Sequence, residues 1–114
     1  MNTNDIVYDV HSIDAKKLLD KLIHNFVVEQ ENWNLSKEAG FQQLEKAYYF
    51  HDFKGAREFT NLISDLAEIE DHHPSILLEY GKVTIKWWSH TIKRIDHIDL
   101  KLAKQTEVIF HGLK

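Results

Sequence analysis

The chain has 114 residues, 43% hydrophobic and 28% charged, with one proline, which describes a single globular domain and not a disordered or low-complexity chain. A formal net charge of −4 argues against a general duplex nucleic-acid binder, and the absence of cysteine excludes disulfides, zinc fingers, iron–sulfur clusters and thiol nucleophiles. No apolar run approaches the roughly 18 residues of a membrane span, and the polar, acidic start of the chain lacks the layout of a signal peptide, so the expected location is the cytoplasm, with no membrane partner.

Residues 1–10 read as a flexible or extended N-terminal arm, and 11–114 as one domain without internal repeat or linker. Ser12 or Asp14 can cap a first helix whose stripe is Ala15, Leu18, Leu19, Leu22, Ile23 and Phe26. From Glu29 to Phe50 the helical period disappears. Gln43, Glu45 and Ala47 alternate with Leu44, Lys46 and Tyr48, which predicts a hairpin turning near Ser36–Gly40. Asp52 is the N-cap of a second helix with Ala56, Phe59, Ile63, Leu66 and Ala67 inward, stopped before Pro74.

A second hairpin follows, Ile76 to Tyr80 and Val83 to His90, with Gly81–Lys82 at the turn. In its second strand Val83, Ile85 and Trp87 face one side, and Thr84, Lys86, Trp88 and His90 the other. Asp96 caps a last helix with Asp99, Leu102, Thr106, Ile109 and Leu113 along one stripe, widened by Leu100, Ala103 and Phe110. The order α-β-β-α-β-β-α predicts an α+β two-layer sandwich, a four-stranded antiparallel sheet with three helices on one face. The other face, carrying Trp88, calls for a second subunit.

Eight histidines stand out. The densest constellation is Glu68-Ile69-Glu70-Asp71-His72-His73-Pro74, in the loop between the second helix and the third strand. His90 ends the fourth strand and Asp99 begins the last helix. Imidazole exchanges protons near neutral pH, so one neutral ring can act as base while a protonated one acts as acid. A carboxylate can fix a tautomer or stabilise an imidazolium. Such a set suits elimination or addition of water across a polar bond and needs no nucleophile or redox group.

Plainer readings exist for each residue. Adjacent histidines before proline are commonly an exposed turn, His90 a surface strand end, and Asp99 simply favourable charge in a first helical turn. Three imidazoles can hold catalytic zinc, but adjacent histidines are awkward for one metal, and the expected site holds none. His11, His24, His51, His97 and His111 each stand alone and read as structural or surface residues. Trp33 and the run Tyr48–Phe50 read as core or interface, and Lys93–Arg94 as a solvated turn.

Glu68, His72-His73-Pro74, Tyr80, His90 and Asp99, at their spacing, resemble the signature of the pterin-4a-carbinolamine dehydratases. Trp33, the aromatic Tyr48–Phe50, the pair Asp52-Phe53, Ala56 and Phe59 extend the likeness to about Leu18–Ile109. The resemblance implies a hydro-lyase that dehydrates 4a-hydroxytetrahydropterins to quinonoid dihydropterins, a step of pterin recycling, with no metal and no cofactor. It implies His72 and His90 as the acid–base pair, in an order that depends on the substrate stereoisomer, His73 on the pterin hydroxyl region, Asp99 orienting or polarising His90, and Trp33, Pro74 and Ser89 lining the substrate pocket. It also implies a homodimer through the sheet and a homotetramer through helices. The alternative is a non-catalytic dimerisation or coactivator-type protein-binding module of the same fold. The chain departs from the family at Lys93-Arg94-Ile95-Asp96, where Gly-Gly-Leu-Thr is usual. A backbone needing positive φ there is strained by Lys or Arg, whereas Asp replaces a Thr cap without loss.

Overall fold

The computed structural model describes residues 13–113, so the expected arm over 1–10 and the candidate cap Ser12 lie outside the described residues. Helix α1 (Ile13–Glu29) buries Leu19, Ile23 and Phe26. Leu18 and Leu22, expected in the same stripe, remain 42% and 37% exposed. Only the narrow line of α1 that meets the body of the domain is covered.

Strands β1 (Asn34–Glu38) and β2 (Phe41–Tyr49) pair antiparallel across the two residues Ala39 and Gly40. Both have positive φ, 52° and 85°, the backbone that matches the twist of a two-residue hairpin. The turn is therefore tighter than expected, and Ser36 is a strand residue opposite Gln43. Helix α2 (Phe53–Glu70) starts where Gly55 N donates to Asp52 Oδ1 at 2.9 Å. It buries Ala56, Phe59, Ile63 and Ala67.

Strands β3 (Ser75–Glu79) and β4 (Lys82–Trp87) form the second hairpin, and α3 (His97–Gly112) closes the chain. The β3–β4 turn packs on the end of β2. Phe50 N donates to Gly81 O at 2.9 Å, and a Cβ on Gly81 would lie 2.8 Å from Phe50 O, so glycine is required by that approach. Strand β4 stops at Trp87 and does not reach His90. Ser89 pairs instead with Arg94 across a tight loop, which draws the chain out of the sheet.

The sheet is antiparallel with order β1-β2-β4-β3, and the fold is the expected α+β arrangement. Leu44 faces Trp87, Tyr48 faces Val83, and Ile76 faces Ile85. Leu44, Tyr48, Val83, Ile85 and Trp87 are all buried under the helices; burial of each is worth about 1.5–3 kcal/mol. Tyr48, Phe59 and Phe110 cluster at one end of β4, with Tyr48 centroids 4.8 and 4.7 Å from the other two. The histidine site occupies the other end, beyond Trp87.

Candidate active site

The site begins where α2 ends. Asp71 takes the left-handed conformation (φ 49°, ψ 43°), and its N–H bonds back to the carbonyls of Ala67 and Glu68. His72 N donates to Ala67 O at 3.1 Å. These bonds satisfy the last helical carbonyls and turn the chain sharply, sending His72 and His73 out side by side. His73 Nε2 meets Glu68 Oε2 at 2.6 Å, one turn back on the helix. Both side chains of that pair are exposed, so the contact orients the ring and adds little stability.

The other wall comes from the end of β4 and the start of α3. Asp96 and Asp99 form a capping box, with Asp99 Oδ2 accepting from Asp96 N at 2.9 Å. The same oxygen accepts from Ser89 Oγ at 2.7 Å. Asp99 Oδ1 accepts from His72 Nε2 at 2.6 Å. The carboxylate is completely buried. Burial pushes its pKa above the ordinary carboxylate value, while the donors from Asp96, Ser89 and His72 act to hold it down.

His72, His73, Ser89 and His90 share the lining of a cavity of about 370 Å³, together with Asp71 and Asp96. His90 is exposed, and its Nε2 lies 3.0 Å from His73 O. A carbonyl only accepts, so His90 Nε2 carries the hydrogen. Donation from His72 Nε2 to Asp99 likewise leaves Nδ1 as the open nitrogen of each ring. The arrangement is a pair of imidazoles with committed Nε2 atoms, one backed by a buried carboxylate and the other by a main-chain carbonyl.

Not every expected site residue arrives here. Trp33 is 2% exposed in the core. It packs on Phe26 and Tyr48, and its indole N–H donates to Glu107 Oε1 at 2.8 Å. It is not among the cavity's lining side chains, and neither is Pro74, which leads into β3. Asp99 bonds His72 and not the expected His90, because α3 starts against the end of α2. The cavity also includes Asp71, Thr91, Ile92 and Ile98. Asp71 stood in the dense acidic-histidine run, but its place in the wall depends on the left-handed turn. The loop residues carried no comparable signal.

Lys93 has φ 53°, so the strained conformation suspected at this departure from the family pattern is present, and it is adopted by lysine. Arg94 contributes an anchor to α1, its Nη2 lying 2.8 Å from Asp20 Oδ1.

The fold is a two-layer α+β domain whose cavity, beyond the end of the sheet, gathers three histidines, one of them bonded to a buried carboxylate. The family model described as Pterin 4 alpha carbinolamine dehydratase matches residues 16–109, and the chain belongs to this family. Proteins of two Vibrio vulnificus strains, YJ016 and CMCP6, each named "Putative pterin-4-alpha-carbinolamine dehydratase", are 46% identical over 98 residues, covering 86% of this chain and 89% of theirs. The fold is similar to that of a transcriptional coactivator/pterin dehydratase from Brucella melitensis, with a TM-score of 0.69 at 23% identity, covering 79% of this chain and 94% of that one. It is also similar to a pterin dehydratase-like protein identified as a RuBisCO assembly factor, with a TM-score of 0.58 at 18% identity, covering 70% of this chain and 90% of that one. Among the described residues, no helix is long and apolar enough to cross a membrane.

Proposed function

We propose that this chain dehydrates a 4a-hydroxytetrahydropterin to the quinonoid dihydropterin by histidine acid–base catalysis, as a cytoplasmic pterin-recycling enzyme acting as a homodimer through the sheet. The observation that carries the reading is the buried Asp99 carboxylate on His72 Nε2, with His90 lining the same cavity. An imidazole whose Nε2–H is held by a buried carboxylate is a good proton acceptor at Nδ1, because the imidazolium that forms is stabilised in place.

The step balances without a further reactant. The N5 lone pair of the pterin forms the N5=C4a bond as the C4a–O bond breaks. His90, protonated, gives its Nδ1 proton to the departing hydroxyl, which leaves as water. His72 Nδ1 takes the N5 proton, and exchange with solvent resets both rings. His73, held by Glu68, hydrogen-bonds the hydroxyl region. Each positioned proton transfer is worth ~10²–10⁴ in rate.

The test is dehydration of freshly generated 4a-hydroxytetrahydropterin, followed by ultraviolet absorbance. Wild type accelerates it, and His72→Ala and His90→Ala each lose ~10²-fold or more in kcat/KM. No acceleration by the folded wild-type protein overturns the proposal. It would favour the protein-binding alternative, for which the outer sheet face, with Tyr49 at 68% and Leu77 at 56% exposure among the described residues, is the available surface.

A further inference from the structure

Two adjacent tryptophans at the end of β4 each lie against one histidine of the cavity. Trp87 points to the inner face and is fully buried. Its indole N–H donates to Thr106 Oγ1 at 3.1 Å, and its ring lies within 16° of parallel to His72, centroids 6.1 Å apart. Trp88 follows directly after the last residue of β4. Its ring stacks on His90 at 4.3 Å and 20°, with Phe41 behind it at 6.3 Å.

The two histidines are restrained unequally. His72 is half-buried and tied to an inner carboxylate. His90 is exposed, and its hydrogen bond to His73 O fixes one point of the ring while leaving rotation about that contact. A planar stack removes this freedom, because offset-parallel rings hold each other's orientation.

We propose that Trp88 is a positioning residue for His90, holding the imidazole plane so that Nδ1 is presented for proton transfer. The inference rests on the dehydration reading above. Trp88 does not line the cavity, so it acts through the histidine and not on the substrate.

The test compares Trp88→Leu and Trp88→Phe with wild type in the dehydration assay, with thermal unfolding to confirm folding. Trp88→Leu lowers kcat by up to about tenfold, the limit set by the worth of one aromatic stack, and leaves KM unchanged. Trp88→Phe, which keeps a flat ring, retains most of the rate. In a His90→Ala background, Trp88→Leu has no further effect, which a general structural role would not give. A readout independent of activity is the His90 Cε1–H proton resonance. Loss of the indole ring current moves it downfield in Trp88→Leu, while that of His72 stays. The proposal is overturned by an unchanged kcat in Trp88→Leu, by a change in KM alone, by losses that multiply in the double variant, or by a His90 resonance that does not move. An inactive folded wild type overturns the dehydration reading instead, and the resonance still decides the stack.

Discussion

Asp99 takes part in three hydrogen bonds through two oxygens. Oδ2 closes the capping box and holds Ser89, while Oδ1 holds His72. The Ser89 hydroxyl favours the ionised carboxylate, so removing it raises a pKa already pushed up by burial. If His72 needs Asp99 ionised, the acid limb of the kcat profile moves to higher pH in Ser89→Ala and stays in place in Ser89→Thr. A pH–rate profile of the two variants reads this directly.

Glu107 has a comparable place in the core. One oxygen, Oε1, accepts from Trp33, Tyr48 and Lys46, joining the first hairpin to α3. Burial pushes its pKa up, but the hydrogen bonds from Lys46 and Tyr48 outweigh this, and the carboxyl sits below its ordinary value. A depressed pKa stabilises the fold above the unfolded value, near 4.3, and that stability is lost as pH falls through the folded value. Loss of the charge-assisted hydrogen bonds in Glu107→Gln should cost about 3 kcal/mol at pH 7, and the lowered pKa makes the difference from wild type shrink below about pH 4. Urea unfolding midpoints across that range check it. Histidines, proline and aspartate at fixed spacing picked out the candidate set in sequence, but the partner of each did not follow from spacing. Asp99 falls to His72 because α3 starts against the end of α2, and Trp33 goes inward to pack between Phe26 and Tyr48 with its indole on Glu107.

At the level of elements, caps and turns were readable where they depend on local chemistry. Asp52 and Asp96 each cap the helix assigned to them, since a side-chain oxygen satisfies free N–H groups within the next turn. The extent of β4 was not readable. Alternation continues to His90, yet the strand ends at Trp87, because the Ser89–Arg94 pairing competes with the sheet. The cost of that loop is concentrated at Lys93, whose left-handed backbone is unfavourable by about 1–2 kcal/mol for a residue with a Cβ. Lys93→Gly should stabilise the protein by about 0.5–1 kcal/mol after the unfolded-chain entropy of glycine is subtracted, seen as a higher urea midpoint. An unchanged or lower midpoint would mean that the lysine side chain contributes more than the strain costs.

At the scale of the molecule, the helices cover one sheet face, and among the described residues no element covers the other. That outer face carries Leu77 and Tyr49, exposed, beside Lys86 paired with Glu38 and Glu45. Among the described residues the sheet ends at β1 and β3 without a further strand, and such edges commonly pair with another copy. Light scattering at micromolar concentration should give at least twice the 13.5 kDa of one chain; a mass of one chain would refute assembly through the sheet.

Whereas Leu18, Leu22 and Leu113, expected in helix stripes, are exposed, element order, layer arrangement, the inward line of α2 and the position of the histidine set along the chain were determined by the sequence alone. They rest on periodicity, on caps and on spacing along the chain, all of which are local. The tertiary structure decided which imidazole meets the buried carboxylate, that Trp33 belongs to the core, and that Trp87 and Trp88 each back a different histidine. Those outcomes depend on where elements distant in sequence meet. Contacts such as His72 to Asp99, 27 residues apart, and Trp33 to Glu107, 74 apart, are set by packing of the helices on the sheet, and no local pattern encodes that packing.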